Sequence, residues 1–207
     1  MKICEYFRSI QGEGITIGLP TYFIRTTGCN LRCVWCDTKY ALEGGMEASV
    51  DEIMDMVDDT ENVCITGGEP LLQNDMPVLL DRLLKVGKRI VIETNGSVDV
   101  SWIPKDDRII VSMDIKCPSS GMAGKSLISN LGHLGKKDQL KFVIGDYADL
   151  NYAVGFLREN TTDANVIFCS VGGMDLLPIA EEVISRKLNV RVLPQLHKII
   201  WGDKRSV

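Results

Sequence analysis

Positive charge is in short supply in this 207-residue sequence: 23 Lys and Arg stand against 28 Asp and Glu, a formal net charge of -5. A stable nucleic-acid binder gathers Lys and Arg into a footprint for the phosphates, so direct binding of tRNA or DNA is not expected. Long apolar runs are missing too. None approaches the ~18 to 20 residues that span a bilayer, and Met1-Lys2-Ile3-Cys4-Glu5 has no apolar signal-peptide core, which points to a cytoplasmic protein with no membrane partner. There is no internal repeat, low-complexity tract or Pro/Ser-rich linker, so residues 1–207 are expected to form one domain. Histidine is limited to His133 and His197, which are isolated. The remaining composition, 45% hydrophobic and 25% charged with 7 Pro and 19 Gly, excludes collagen-like, disordered and coiled-coil chains. A domain of this length buries roughly 70% of the surface its unfolded chain exposes, so it needs no metal or disulfide to fold. Metal-type residues are therefore read as functional.

Short β-branched apolar runs, each bounded by Gly, Asn, Asp or Pro, recur at 22–26, 63–66, 90–93, 109–112, 140–144, 166–169 and 190–193, and each has strand length. Helical spacing appears between several of them. Ser49 with Glu52 forms a capping-box signature ahead of Val50, Ile53, Met54 and Val57, and further apolar stripes lie at 75–86 and 177–187. These stripes are read as core. Alternating β and α elements predict right-handed crossovers and a parallel sheet, with functional residues just beyond the carboxyl ends of the strands.

Cysteine is where the chemistry concentrates. There are seven, an odd number, and Cys29, Cys33 and Cys36 follow the 22–26 run with the spacing C-x3-C-x2-C. That pattern suits metal ligation in a reducing compartment better than a disulfide framework. Three thiolates on one loop can ligate three irons of a 4Fe-4S cube and leave the fourth iron open for a substrate or cofactor. Zinc also accepts thiolates, but a structural zinc site wants four protein ligands and no second pair is present. Inert free thiols are the remaining alternative. Cys4, Cys64, Cys117 and Cys169 have no ligand spacing, and Cys64 and Cys169 are expected to pack as small hydrophobes.

With Trp35 just before the last cysteine and Thr66-Gly67-Gly68-Glu69-Pro70 after the 63–66 run, the chain resembles the radical S-adenosylmethionine (SAM) superfamily. Ser9-Ile10-Gln11-Gly12-Glu13-Gly14, Phe23-Ile24-Arg25, Glu93-Thr94-Asn95-Gly96 and Leu193-Pro194-Gln195-Leu196-His197-Lys198 narrow the resemblance to the 7-carboxy-7-deazaguanine synthase family, over essentially the whole chain. The implied fold is an abbreviated, partial parallel β/α barrel of about six strands, since a full eightfold barrel usually takes ~250 residues. The implied reaction contracts the ring of 6-carboxy-tetrahydropterin, with loss of ammonia, on the route to queuosine or archaeosine. A deoxyadenosyl radical made from SAM takes hydrogen from C6 of the pterin, and an external flavodoxin- or ferredoxin-like reductant supplies the electron. A homodimer is implied as well.

The resemblance also assigns residues. Cys29, Cys33 and Cys36 hold the cluster. Trp35, Asp37, Gly67, Gly68, Glu69, Gly96, Asp114, Ile115 and Lys116 meet SAM, the two glycines and Glu69 facing its ammonium; some members carry Ser-Pro-Lys where this chain has Asp114-Ile115-Lys116. Ile10, Gln11, Gly12, Glu13, Arg25, Thr94 and His197 meet the substrate. A pterin edge presents an amide and an amino group, which Gln11, Glu13 and the neighbouring backbone can match, and Arg25 can give a carboxylate two parallel hydrogen bonds. Thr38 is assigned to Mg2+, for which its hydroxyl is a hard oxygen ligand, with a turn cap as the plainer alternative. Rival functions are a glycyl-radical-activating enzyme, which would not need Gln-Gly-Glu-Gly or Arg25, and an iron-sulfur electron carrier or zinc module, which would leave Gly-Gly-Glu-Pro unexplained.

Overall fold

In the computed structural model, which describes residues 1–207, the β-branched runs become strands of one nine-stranded sheet. The strands are β1 (Lys2–Ile10), β2 (Pro20–Thr26), β3 (Met46–Glu47), β4 (Asn62–Gly67), β5 (Arg89–Thr94), β6 (Ile109–Ile115), β7 (Gln139–Ile144), β8 (Asn165–Ser170) and β9 (Arg191–Val192), in the order β3-β1-β2-β4-β5-β6-β7-β8-β9. From β2 to β9 every pairing is parallel, and β2, β4, β5, β6, β7 and β8 each run six or seven residues. The expected partial barrel of about six strands is this set. Parallel neighbours require crossovers, which α1 (Val50–Met56), α2 (Met76–Lys85), α3 (Tyr147–Glu159) and α4 (Leu177–Ser185) provide. Only turns and short 3-10 segments join β5 to β6 and β6 to β7, and that economy fits the sheet into so short a chain.

Alternation along β5 shows how the sheet is filled. Ile90 and Ile92 pack into the main core with Leu79, Leu80 and Leu83 of α2, while Val91 joins Phe23 and Cys64 on the other, concave face. The capping box at Ser49 and Glu52 is formed as expected and starts α1. Cys64, Cys117 and Cys169 are buried.

Three elements depart from the expectation. β1 is an additional strand, antiparallel to both β2 and β3, and its Phe7 stacks on Phe23 with ring centroids 4.8 Å apart. α3 is a further helix, started by Asp146 accepting from the Asp149 N–H. The 190–193 run pairs only at Arg191 and Val192, after which the chain turns into α5 (Leu196–Trp201). No helix is long and apolar enough to cross a membrane.

Candidate active site

The concave face of the sheet encloses a cavity of about 240 Å³. Cys29, Cys33, Cys36, Asp37, Thr38, Gly67, Gly68, Thr94, Asp114 and Lys116 reach it from beyond or at the carboxyl ends of β2, β4, β5 and β6, as expected for a parallel sheet. The Gln-Gly-Glu-Gly segment corrects that expectation. Because β1 runs antiparallel, Ile10 pairs with Pro20 at the amino end of β2, and Ile10, Gln11, Gly12 and Glu13 enter the cavity from the opposite end. The two groups of residues thus approach the same space from two directions.

All three cysteines of the loop line the cavity. Their thiols stand on one side of it, while Cys64 lies buried against Phe23 and Val91. Cys29 Sγ accepts from the Leu31 N–H at 3.4 Å and from Asn95 Nδ2 at 3.6 Å, contacts that suit a thiolate. Burial raises the Cys33 thiol, and the Lys116 ammonium acts against that rise. No three Cys, His, Asp or Glu side chains converge as ligands of a single ion would; thiolates at the corners of a cube bind separate irons and need not converge. Trp35 does not line the cavity. Its Nε1–H donates to Ser119 Oγ at 2.9 Å and its ring lies 5.8 Å from Lys116 Nζ, so it braces the loop.

Glu69, Gly96 and Ile115 are likewise outside the cavity lining. The Glu69 side chain is fully buried, and its carboxylate accepts from the Leu71 N–H, the Thr94 hydroxyl at 2.8 Å and the Asn95 N–H at 2.7 Å. It ties the turn after β4 to the end of β5. Thr94 therefore commits its hydroxyl proton to Glu69. Gly68 has its own reason to be glycine: a Cβ there would strike Gly28 and Cys29, so the turn could not lie against the cysteine loop. The Gly96 carbonyl is taken by the Leu127 N–H and Asn130 Nδ2, and Ile115 is buried in the core. The Asp114 and Lys116 side chains do share one face, as two-residue spacing on a strand requires, and pair at 2.7 Å.

The centre of the site is an ion cluster that the sequence reading missed. Lys141 on β7 is buried, and its Nζ lies 2.7 Å from Glu93 Oε2, 2.8 Å from Glu13 Oε2 and 3.5 Å from Asp114 Oδ1. Burial opposes the lysine charge, yet the three carboxylates hold its pKa well above the ordinary value. Burial would raise Glu13, but the Lys141 ammonium outweighs it and holds this carboxyl down at about 2. Burial is the main influence on Glu93 and moves it up. A charged residue alone in an apolar run, as in Leu140-Lys141-Phe142 and Ile92-Glu93, is the sequence signal that could have found the cluster.

At the other end, Gln11 Oε1 accepts from the Gly12 N–H, leaving its buried Nε2 with no partner. Arg25 donates from Nε to Glu5 Oε1 at 2.7 Å and stacks near Phe7 and Tyr40, so the pairing that fixes the guanidinium leaves its terminal nitrogens free. His197, on α5, packs where a Cβ of Gly12 would sit, and burial lowers its pKa. The chain's tail crosses the same region: Ser206 donates to Glu5 and Val207 lines the cavity. Thr38 starts the 39–41 turn without capping it; its hydroxyl donates to Asp37 Oδ1 at 2.8 Å.

Comparison with known proteins agrees with this geometry. Residues 23–112 match the family model of the radical SAM superfamily. The chain is 43% identical to the 7-carboxy-7-deazaguanine synthase of Thermoplasma acidophilum over the full length of both proteins. It is 46% identical to that of Methanospirillum hungatei, across 97% of this chain and 85% of the relative. The crystal structure of QueE from Escherichia coli superposes with a TM-score of 0.78 at 27% identity, covering 95% of this chain and 94% of that one. The chain belongs to the 7-carboxy-7-deazaguanine synthase family of radical SAM enzymes, whose chemistry implies a 4Fe-4S cluster and SAM.

Proposed function

We propose that the chain converts 6-carboxy-5,6,7,8-tetrahydropterin to 7-carboxy-7-deazaguanine and ammonia, a step toward the 7-deazapurine tRNA bases. The observation that carries the reading is the set of uncommitted donors, Gln11 Nε2 and the terminal nitrogens of Arg25, in the same cavity as the three cysteines. When bound, the cluster and SAM supply the deoxyadenosyl radical that opens the reaction. Cys29, Cys33 and Cys36 would hold the cluster, and the Gly67-Gly68 backbone, Asp37, Asp114 and Lys116 are the groups placed for SAM. Gln11 donates to a pterin carbonyl or ring nitrogen, Glu13 stays ionised as an acceptor, and Arg25 meets the carboxylate. Phe7, Phe23 and His197 line the same cavity, and their rings would shield a bound substrate from water. We further propose that residues 1–207 act as a single cytoplasmic domain, paired as a homodimer and served by a flavodoxin- or ferredoxin-like reductant. An anaerobic assay with SAM, dithionite and the pterin tests the function: product should form and exceed deoxyadenosine many times over, because hydrogen returns to the product side. One deoxyadenosine per product would favour a glycyl-radical-activating enzyme instead.

Arg25→Gln should raise the KM for the pterin roughly 10- to 150-fold, the equivalent of about 1.5 to 3 kcal/mol for a hydrogen bond to a charged group, while SAM binding stays unchanged. An unaltered KM would reduce Arg25 to a partner of Glu5.

Thr38 is proposed to hold Mg2+ beside the substrate carboxylate, where the ion would orient it and offset negative charge. Its hydroxyl is not used as a cap and stands next to Asp37 at the cavity, a donor set of hard oxygens that fits the ion. Thr38→Ala should keep the cluster and SAM affinity but weaken the Mg2+ response of turnover in chelator-treated buffer. A full Mg2+ response in the variant would remove the assignment.

A further inference from the structure

We infer that Asn95 sets the reduction potential of the cluster through a hydrogen bond from its side-chain amide to Cys29 Sγ. The residue is a positioning and tuning group, and the inference rests on Cys29, Cys33 and Cys36 being the cluster ligands. Asn95 Nδ2 stands 3.6 Å from Cys29 Sγ and 3.1 Å from Asn30 Oδ1, so both of its protons have acceptors. The direction of the amide is fixed from behind: Asn95 Oδ1 accepts from the Ser97 N–H at 2.9 Å, which turns the NH2 toward sulfur. Its backbone is fixed as well, since the Asn95 N–H donates to Glu69 Oε2 at 2.7 Å. The only other donor to a cysteine sulfur of the loop, the Leu31 N–H at 3.4 Å, also points at Cys29. Two N–H groups therefore converge on one of three ligands. Hydrogen bonds to ligand sulfurs are among the levers that set iron-sulfur potentials. Each stabilises the more negative, reduced cluster and so moves the potential upward.

The test is an EPR-monitored redox titration of reconstituted protein, at matched iron and sulfide content, for wild type, Asn95→Ala, Asn95→Asp and Asn30→Ala. Asn95→Ala removes the donor. Asn95→Asp keeps the shape and the acceptor for Ser97 but turns an oxygen toward the sulfur. Both should move the midpoint to more negative values, the aspartate further, so that a smaller fraction of cluster is reduced at any fixed potential. Asn30→Ala removes a tie between the two loops but leaves the amide on Cys29, and its midpoint should stay at the wild-type value. Iron-replete Asn95 variants with a wild-type midpoint overturn the inference. So does an equal shift in Asn30→Ala, or loss of iron from both Asn95 variants, since Asn95 would then be anchoring the loop. A wild type that takes up no iron sinks the cluster reading itself, and the inference with it.

Discussion

Lys141→Met should lower the unfolding free energy near pH 7 by about 3 to 5 kcal/mol, the cost of leaving buried charge without its partner. The magnitude follows from what the lysine faces. Glu13, Glu93 and Asp114 all lie within 3.5 Å of one ammonium, and no other cation touches Glu13 or Glu93. Lys116 still neutralises Asp114 in the variant, so the stranded pair is Glu13 and Glu93. The loss should shrink on acidification. In wild type, Glu13 titrates at about 2, below its ordinary 4.5, so it contributes stability that is present above pH 4.5 and lost as the pH falls toward 2. Glu93 works in the opposite sense, because burial raises its pKa: its contribution is present below 4.5 and lost as pH rises through the folded value. Without Lys141 both carboxyls join the second kind, so between pH 7 and 5 the variant gains stability as pH falls while wild type still keeps the Glu13 share, which goes only below pH 4.5. Urea unfolding of both proteins at several values between pH 7 and 5 measures the gap, and adding Glu93→Gln to the lysine variant should recover part of it. A gap below about 1 kcal/mol, or one that ignores pH, would show that the cluster is solvated and electrostatically unimportant.

How far the sequence foretold this site depends on whether a residue's partner is local. The cysteine loop was legible because its three cysteines lie within eight residues, and strands of β-branched residues between turn signals showed where it would hang. The Asp114–Lys116 pair was legible for the same reason, since extended backbone puts residues two apart on one side. The partners of Glu69 were not legible because its motif says nothing about the strand end it packs against; Thr94 and Asn95 lie 25 and 26 residues away and donate to its carboxylate. Lys141 is the limiting case, with partners 48 and 128 residues distant, so only the register of the folded sheet unites them. β1 was missed because its burial pattern lacks a clean two-residue alternation, and its hydrogen bonds reach forward to β2 and β3. α3 carries Gly155 mid-helix and a weak apolar stripe, so packing on β7 has more to do with its formation than local preference does.

Cys33→Ala should abolish SAM cleavage and product formation together, the largest effect expected of any single substitution. A 4Fe-4S cluster held by three protein thiolates has no spare ligand, and reconstituted wild type should carry about four irons and four sulfides. The remaining cysteines cannot substitute. Cys64, Cys117 and Cys169 are buried, burial pushes each thiol far up from its ordinary value, and a thiol held protonated is a poor ligand. Cys4, on β1, lies off the loop and outside the cavity lining. Cys117→Ala and Cys169→Ala should therefore keep full iron and the brown absorbance, with only the modest instability of a trimmed core. Iron and sulfide assays on the three variants, alongside deoxyadenosine release under dithionite, separate the cases. Equal iron loss from Cys117→Ala or Cys169→Ala would overturn the ligand assignment, and an iron-replete Cys33→Ala protein that still cleaves SAM would overturn the loop as the seat of the chemistry.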